Sequence, residues 1–551
     1  MYKVINFLKT NVLVLLILSL LVVAVFSQLP QTFYQQDEWY SMGIIYSEGF
    51  SSVFDGVWNP LDVLFVKGRI LSSALAYLFL NYFPLQNTQL AIFAIILHLA
   101  ATFLVYGLIN KFFKSSLIAL LGSIFFAVNS VSHAAVTWPV IALNTVTSTI
   151  AIILGLYYFL KYIDEGKNKW LVLSGLALYV SLWFKETGIY LFFFLPLSAL
   201  LFKKYTFSIF LKRFWLFVLP SFLIIIYRIL ELKSISVDPN LYITGQNQHF
   251  FSTLFFRAIL YPLTSFSLMF VPGEQFLSFA REILREIYPF FAEAPNNIAI
   301  AQSPILDLLA VCLTFSIIIL IILLLHKETK QGKKVVCFWL IFTFMSFLPY
   351  ILQSKDFSYL ESRYYYLSVV GGAVLLSWVL KRLWEIFGSK VFYIAVLPLC
   401  TFFLIFHANV VQNAIKERVK IANLQKSFIL QLKNLTPTLE RDKNVFYATS
   451  DQNFWAEGNK LPFQQGSGYT LMVLYYNTGK IPKEFLKAQA LLEDGFLYDI
   501  GSQGYKETRG LGFGYFFDKE ELDKNVKLYN LQEDSVIRLK YNSDANKLEL
   551  Q

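Results

Sequence analysis

Residues Ile305–Lys334 read "ILDLLAVCLTFSIIILIILLLHKETKQGKK". The first part, Ile305–Leu325, carries one ionisable group, Asp307, and four lysines crowd the nine residues behind it. At ~1.5 Å of rise per residue, that apolar run is long enough to cross a hydrocarbon layer of ~30 Å. The lysines mark the end that stays on the cytoplasmic side, because short inner loops of membrane proteins are rich in Lys and Arg. Repeated along the chain, this pairing sets the fold class as a polytopic α-helical membrane protein.

Composition agrees. Of 551 residues, 56% are hydrophobic and only 15% charged, with a mean hydropathy of +0.53. So few charges would scarcely cover a soluble protein of this length. The net charge of +10 sits in short loops between apolar runs, which points to membrane orientation and away from nucleic acid. Cys312, Cys337 and Cys400 each lie inside an apolar run without metal-ligand spacing, and read as small hydrophobes. Lys3 and Lys9 precede the run from Asn11 to Phe26. With no small-residue cleavage pattern after it, the run reads as an uncleaved anchor.

Eleven segments have the composition of spans: 11–27, 88–109, 115–130, 138–160, 169–184, 188–202, 214–230, 305–325, 335–352, 365–380 and 390–407. Two further runs, Ile70–Phe83 and Leu254–Val271, are too short or too interrupted. With a cytoplasmic N-terminus, "NKFFK", "KYIDEGKNK", "KKYTFSIFLKR", "HKETKQGKK" and "KRLWEIFGSK" become inner loops. Together with Lys3 and Lys9 they hold eighteen Lys and Arg, against five in the short outer loops. Letting Ile70–Phe83 span would reverse that bias, so it is placed as a juxtamembrane or re-entrant helix in a first outer loop, about 28–87. A second long outer loop covers about 231–304. From Asn409 the composition turns polar. "KNVFYATS", "GYTLMVLYY" and "SVIRLKY" read as strands and "PKEFLKAQALLE" as a helix, giving a membrane domain 1–407 and a small extracytoplasmic α/β domain 408–551.

The ionisable residues outside the inner loops fall on one side of this topology. "YQQDEWY" places Asp37 and Glu38 where the first run ends. "FFAVNSVSHAAVTW" places His133 beside Trp138, "FKETGI" breaks an apolar hairpin with Lys185 and Glu186, and "ESRYYYL" brings Arg363 and Tyr364 to a span's start. An enzyme that moves a sugar from a lipid phosphate needs a carboxylate to activate the acceptor hydroxyl. It also needs cations for a leaving phosphate whose charge grows in the transition state. Asp37 and Glu38 fit the first need; Lys185, Arg363, Arg69 and His133 fit the second. Plainer readings stay open at each: a hydrated helix cap for Asp37-Glu38, a snorkelling pair for Lys185-Glu186, an anchor for Arg363, and a structural His133. Mid-span charges and symmetry between halves, which a transporter or flippase would show, are not apparent.

Taken in order, these four stretches resemble the GT-C superfamily of integral-membrane glycosyltransferases. Nearest in flavour are the bacterial relatives of the O-mannosyltransferases that join transmembrane spans to tetratricopeptide repeats. The resemblance covers most of residues 1–407; the repeats are absent. It implies a multi-pass plasma (inner) membrane enzyme taking a sugar, a hexose such as mannose, from a polyprenyl-phosphate donor to a glycan, lipid or protein acceptor outside the cytoplasm. By the same resemblance Asp37 is the catalytic carboxylate with Glu38 as its substitute, and Arg69, Lys185 with Glu186, and Arg363 with Tyr364 bind the donor. Where the family has a second-loop glutamate this chain has Ala134, and Ala142 stands where an arginine follows. The expectation is therefore a metal-independent inverting transfer, with no divalent cofactor favoured and His133 supplying part of what is missing. The competing expectations are an O-antigen-type polymerase or ligase leaning on Arg257, Arg281 and Arg285, or a non-catalytic scaffold.

Overall fold

Each of the eleven apolar segments lies on helix in a computed structural model of the chain. The structure describes residues 2–54, 57, 60–64, 66, 68–203, 206–234, 250–287, 304–352, 360–438, 444–450, 469–475, 504–508, 511–516, 518–542 and 544–551. Among these, six stretches are long and apolar enough to cross a membrane: Asn11–Gln31, Asn87–Phe113, Pro139–Glu165, Leu306–Leu325, Lys330–Ile351 and the continuous run Ser362–Leu435. The chain is a helical membrane protein. Ser116–Val128 and Glu186–Phe202 are shorter apolar helices, as are Ile70–Tyr82 and Leu254–Leu268 on the two runs excluded from the span set. Segments 365–380 and 390–407 share the run Ser362–Leu435. It is broken at Gly388, whose φ of +77° is open to glycine at no steric cost, and by a π-helical turn Phe392–Val396.

The chain divides into two compact units. One comprises Met1–Ser27, Gly56–Ser72 and Phe93–Gln412; the other Gln28–Asp55, Ser73–Ile92 and Asn413–Gln551. The division near 412 lies close to the boundary read from composition. It differs in grouping most of the first loop with the C-terminal residues.

In the first unit, hydroxyls within apolar helices hydrogen-bond to their own backbone, as Thr102 does to the His98 carbonyl and Ser123 to that of Ala119. Such local bonds satisfy polar groups that lipid cannot. Glycines set the closest helix approaches. A Cβ on Gly122 of helix Ser116–Val128 would stand 2.9 Å from the Ala373 carbonyl oxygen of helix Tyr366–Val391 and 2.9 Å from Ile109 Cδ1. Small residues are favoured at such crossings, where packing substitutes for the hydrophobic effect.

The second unit holds a five-stranded sheet in the order β2-β3-β1-β4-β5, with β1 Asn444–Ser450, β2 Gly504–Thr508, β3 Leu511–Phe516, β4 Val536–Asn542 and β5 Lys547–Leu550. Central β1 runs parallel to both neighbours, and the outer pairs β2-β3 and β4-β5 are antiparallel. Helix Lys519–Leu528, capped by the Asp518 carboxylate accepting from Glu521 N–H, joins β3 to β4. It buries Leu522 against Val445, Phe516, Leu531 and Val536. "KNVFYATS" and "SVIRLKY" are strands as expected. "GYTLMVLYY" is not: Tyr469–Tyr475 is a helix that packs on helix Gln36–Glu48. Its described side chains, Thr470, Val473, Leu474 and Tyr475, are all buried, so packing against a helix overrides the strand preference of its β-branched and aromatic residues. "PKEFLKAQALLE" lies outside the described residues.

Replacing Gly122 by Ala forces the crossing apart or turns away the hydroxyl of Ser377, which a Cβ there would also strike, and is expected to cost about 1–3 kcal/mol. Thermal unfolding in detergent checks this; an unchanged midpoint would mean the helices are not locked at Gly122.

Candidate functional site

Helix Asn168–Phe184 ends because Lys185 adopts an extended backbone (φ −161°, ψ 137°) while its N–H still caps the Ser181 carbonyl. The turn Glu186–Gly188 that follows lies close to helix Pro139–Glu165. A Cβ on Gly188 would meet Ile152 Cδ1 and Ser181 Oγ at 3.0 Å, so only glycine fits without displacing them. The Lys185 side chain is therefore directed inward and is 5% exposed. Its Nζ donates to Thr145 Oγ1 at 2.8 Å and stands 5.5 Å from the centre of the Tyr364 ring; Ser148 Oγ donates to its carbonyl.

Two arginines complete a cationic cluster. Arg69 has a left-handed backbone with φ +46°, as do nearby Val66 at +59° and Gly68 at +88°. Its guanidinium grips Glu186 as a fork, Nε to Oε2 at 2.9 Å and Nη2 to Oε1 at 2.6 Å. The planar donors of Arg suit this two-point grip. Arg363 lies in the turn Ser362–Tyr365, pairs through Nε with Glu361 at 2.7 Å, and places its guanidinium 5.0 Å over the Trp138 ring and 5.3 Å from that of Tyr364. Ser362 ties this turn to the connection between helices Ser116–Val128 and Ala134–Thr137 by donating to the Val131 carbonyl and accepting from Ala134 N–H. Stretches 125–138, 184–189 and 361–367 thus meet at the ends of helices.

Burial pushes the Lys185 ammonium down to about 7, and the positive charges of Arg69 and Arg363 push the same way against Glu186 and Glu361. For Glu186, burial would raise the carboxyl. The charge and paired hydrogen bonds of Arg69 outweigh it and hold the group at about 2, although 48% of its side chain stays open to solvent. That openness limits what the fork contributes to stability, since exposed pairs are worth about 0–1 kcal/mol.

His133 stands at the start of the short helix Ala134–Thr137, its Nδ1 3.0 Å from Thr137 Oγ1. Among the described residues, no three His, Cys, Asp or Glu side chains gather with metal-binding geometry. The sequence reading missed three contributors. Thr145 receives the Lys185 bond. Tyr350 is buried with its ring 4.5 Å from that of Tyr364, and the one available signal was a Pro-Tyr step closing a span. Tyr190 is buried, with no hydrogen-bond partner for its hydroxyl among the described residues. A further first-loop acid, Asp62, is fully buried and accepts a hydrogen bond from Tyr227.

Asp37 and Glu38 belong to the second unit, in the first turn of helix Gln36–Glu48. Glu38 is 0% exposed, and its Oε2 accepts from Gln35 N–H at 3.1 Å while the Gln35 side chain accepts from the Glu38 backbone, a reciprocal capping box. Asp37, half-buried, sits beside it where the helix dipole favours negative charge. Tyr34 and Trp39, which flank the acidic pair, are core residues in edge-to-face contact with each other, and Trp39 packs the same way on Phe33. No protein-family model matches the chain, and neither does any curated protein.

A lysine with its folded value near 7 and an ordinary value near 10.5 is uncharged in the folded chain but charged in the unfolded one between those limits. The unfolded state then binds more protons, so stability rises with pH across that window by up to ~1.4 kcal/mol per pH unit. Lys185→Met removes this dependence. Its stability advantage over wild type is expected to shrink as pH rises from 7 to 10, as read by denaturant unfolding; a constant difference would place the Lys185 titration elsewhere.

Proposed function

We propose that the chain is an inverting glycosyltransferase of GT-C type. It takes a hexose from a polyprenyl-phosphate donor and places it on a glycan, lipid or protein outside the cytoplasm. In this reading all eleven segments span, the N-terminus is cytoplasmic, and the C-terminal domain is extracytoplasmic at the plasma membrane. One observation carries it: Arg69, Lys185 and Arg363 gather with Trp138, Tyr350 and Tyr364 at helix ends of an apolar, membrane-length helical unit. Cations at that level suit a lipid-borne phosphate whose chain stays in the bilayer, and the aromatic faces and the Tyr190 hydroxyl suit a sugar.

The Asp37 carboxylate takes the proton of the acceptor hydroxyl. The acceptor oxygen bonds to the anomeric carbon from the face opposite the phosphate as the carbon–oxygen bond to phosphate breaks. The lipid phosphate leaves with the electron pair, and Lys185, Arg69 and Arg363 stabilise its added negative charge. Glu38, whose carboxylate caps its helix, orients the turn bearing Asp37.

The test is sugar release from radiolabelled polyprenyl-phosphate hexoses by wild type and Asp37→Asn, with and without EDTA. Expected is a loss of 10²-fold or more in the folded variant, with wild-type turnover unaffected by EDTA. Full activity of Asp37→Asn removes that residue as the base. Absence of turnover with every donor favours a polymerase, ligase or scaffold instead.

A further inference from the structure

A groove lies away from Lys185. It has a volume of about 1070 Å³ and runs between helix Asn168–Phe184 and helix Phe207–Ser234. Its walls are apolar and open outward, with Val172 54% exposed, Leu176 57%, Leu219 47% and Leu223 43%. Gly175 forms part of the floor, where a Cβ would rest in ordinary contact, 3.4 Å from the Phe217 ring. The groove extends along the first helix from Asn168 to Tyr179, ~16 Å at the helical rise. That is about half of a ~30 Å hydrocarbon core, the depth of one leaflet.

One end is basic. Lys212 and Arg213 line the groove beside Asn168, and Arg213 donates to the Tyr162 hydroxyl at 3.0 Å. Lys203 reaches the same tyrosine ring from the preceding helix, 5.8 Å from its centre. Neither Lys203 nor Lys212 has a carboxylate partner among the described residues. The basic end lies at Asn168, the opposite end of the helix that terminates at Lys185, so this site and the candidate catalytic cluster lie toward opposite ends of that helix.

We propose that this groove is a binding site for one anionic phospholipid. An acyl chain fills the slot over Gly175, and the phosphodiester headgroup sits between Lys212 and Arg213, with Lys203 within reach. Groove length, apolar walls, and Lys203 and Lys212, which have no carboxylate partner among the described residues, together select a lipid of net negative charge. The site does not depend on the glycosyltransferase reading. It would hold three helices, Pro139–Glu165 through Tyr162, Asn168–Phe184 and Phe207–Ser234, in register from the end opposite Lys185.

The full chain, purified in a neutral detergent, is titrated with phosphatidylglycerol, with phosphatidylcholine of the same acyl chains, and with inorganic phosphate. Thermal midpoint and retained lipid in native mass spectrometry are both read. Phosphatidylglycerol alone is expected to raise the midpoint and leave one retained molecule. Lys212→Gln is expected to weaken it about fivefold, the loss for one cation near an anionic headgroup, and Lys212→Gln with Arg213→Gln by the product of two such steps. Gly175→Leu, which fills the slot and keeps every charge, is expected to abolish retention. Equal stabilisation by phosphatidylcholine, an equal response to phosphate, or unchanged retention in Gly175→Leu each overturns the proposal. Should the double variant fail to fold, Lys212→Gln and Gly175→Leu decide alone.

Discussion

A backbone amide inside lipid has no water to turn to, and this constraint orders the rest of the molecule. It makes the apolar segments helices, because only a helix satisfies its own amides within one segment. It sends serine and threonine hydroxyls back to carbonyls of their own turn, as at Thr102 and Ser123. It leaves close packing to glycine, as at Gly122, where one extra carbon would strike a carbonyl of the facing helix. Charged groups are least costly at helix ends, and Lys185, Arg69 and Arg363 are found there.

Those ends do more than tolerate charge. The Lys185 ammonium is withdrawn from solvent and given one neutral hydroxyl, Thr145, in place of a carboxylate. Burial among two further cations leaves it easily discharged, and an incoming anion would restore its proton. Glu186 cannot play that part, because Arg69 already occupies both its oxygens. Gly68 and Arg69, both left-handed, set the direction from which Arg69 enters this grip. An arrangement that neutralises a carboxylate on one side and leaves an ammonium underserved on the other is suited to receiving negative charge.

The helical fold was legible because one signal, apolar length, is strong in the six stretches long enough to cross a membrane. Lys185, Glu186 and Arg363 were legible for the same reason, as charges interrupting apolar sequence. Thr145 and Tyr350 were not, since an uncharged residue near a span's end is unremarkable until another element is folded against it. Glu38 shows the opposite limit. Two adjacent acids look alike in sequence, and only the hydrogen bond to Gln35 separates a helix cap from its neighbour. Tyr469–Tyr475 misled because its composition is that of a strand, and the helix Gln36–Glu48 it packs on lies more than four hundred residues earlier.

The second unit is assembled from three separated pieces of chain. Helix Gln36–Glu48 lies against Tyr469–Tyr475, and Lys426 donates to the Gln31 carbonyl while standing 5.4 Å from the Phe33 ring. The C-terminal portion is consequently no detachable module. A chain shortened near 407 would strip helix Gln36–Glu48 of the helix it packs on, so its loss of folding would report on that missing contact.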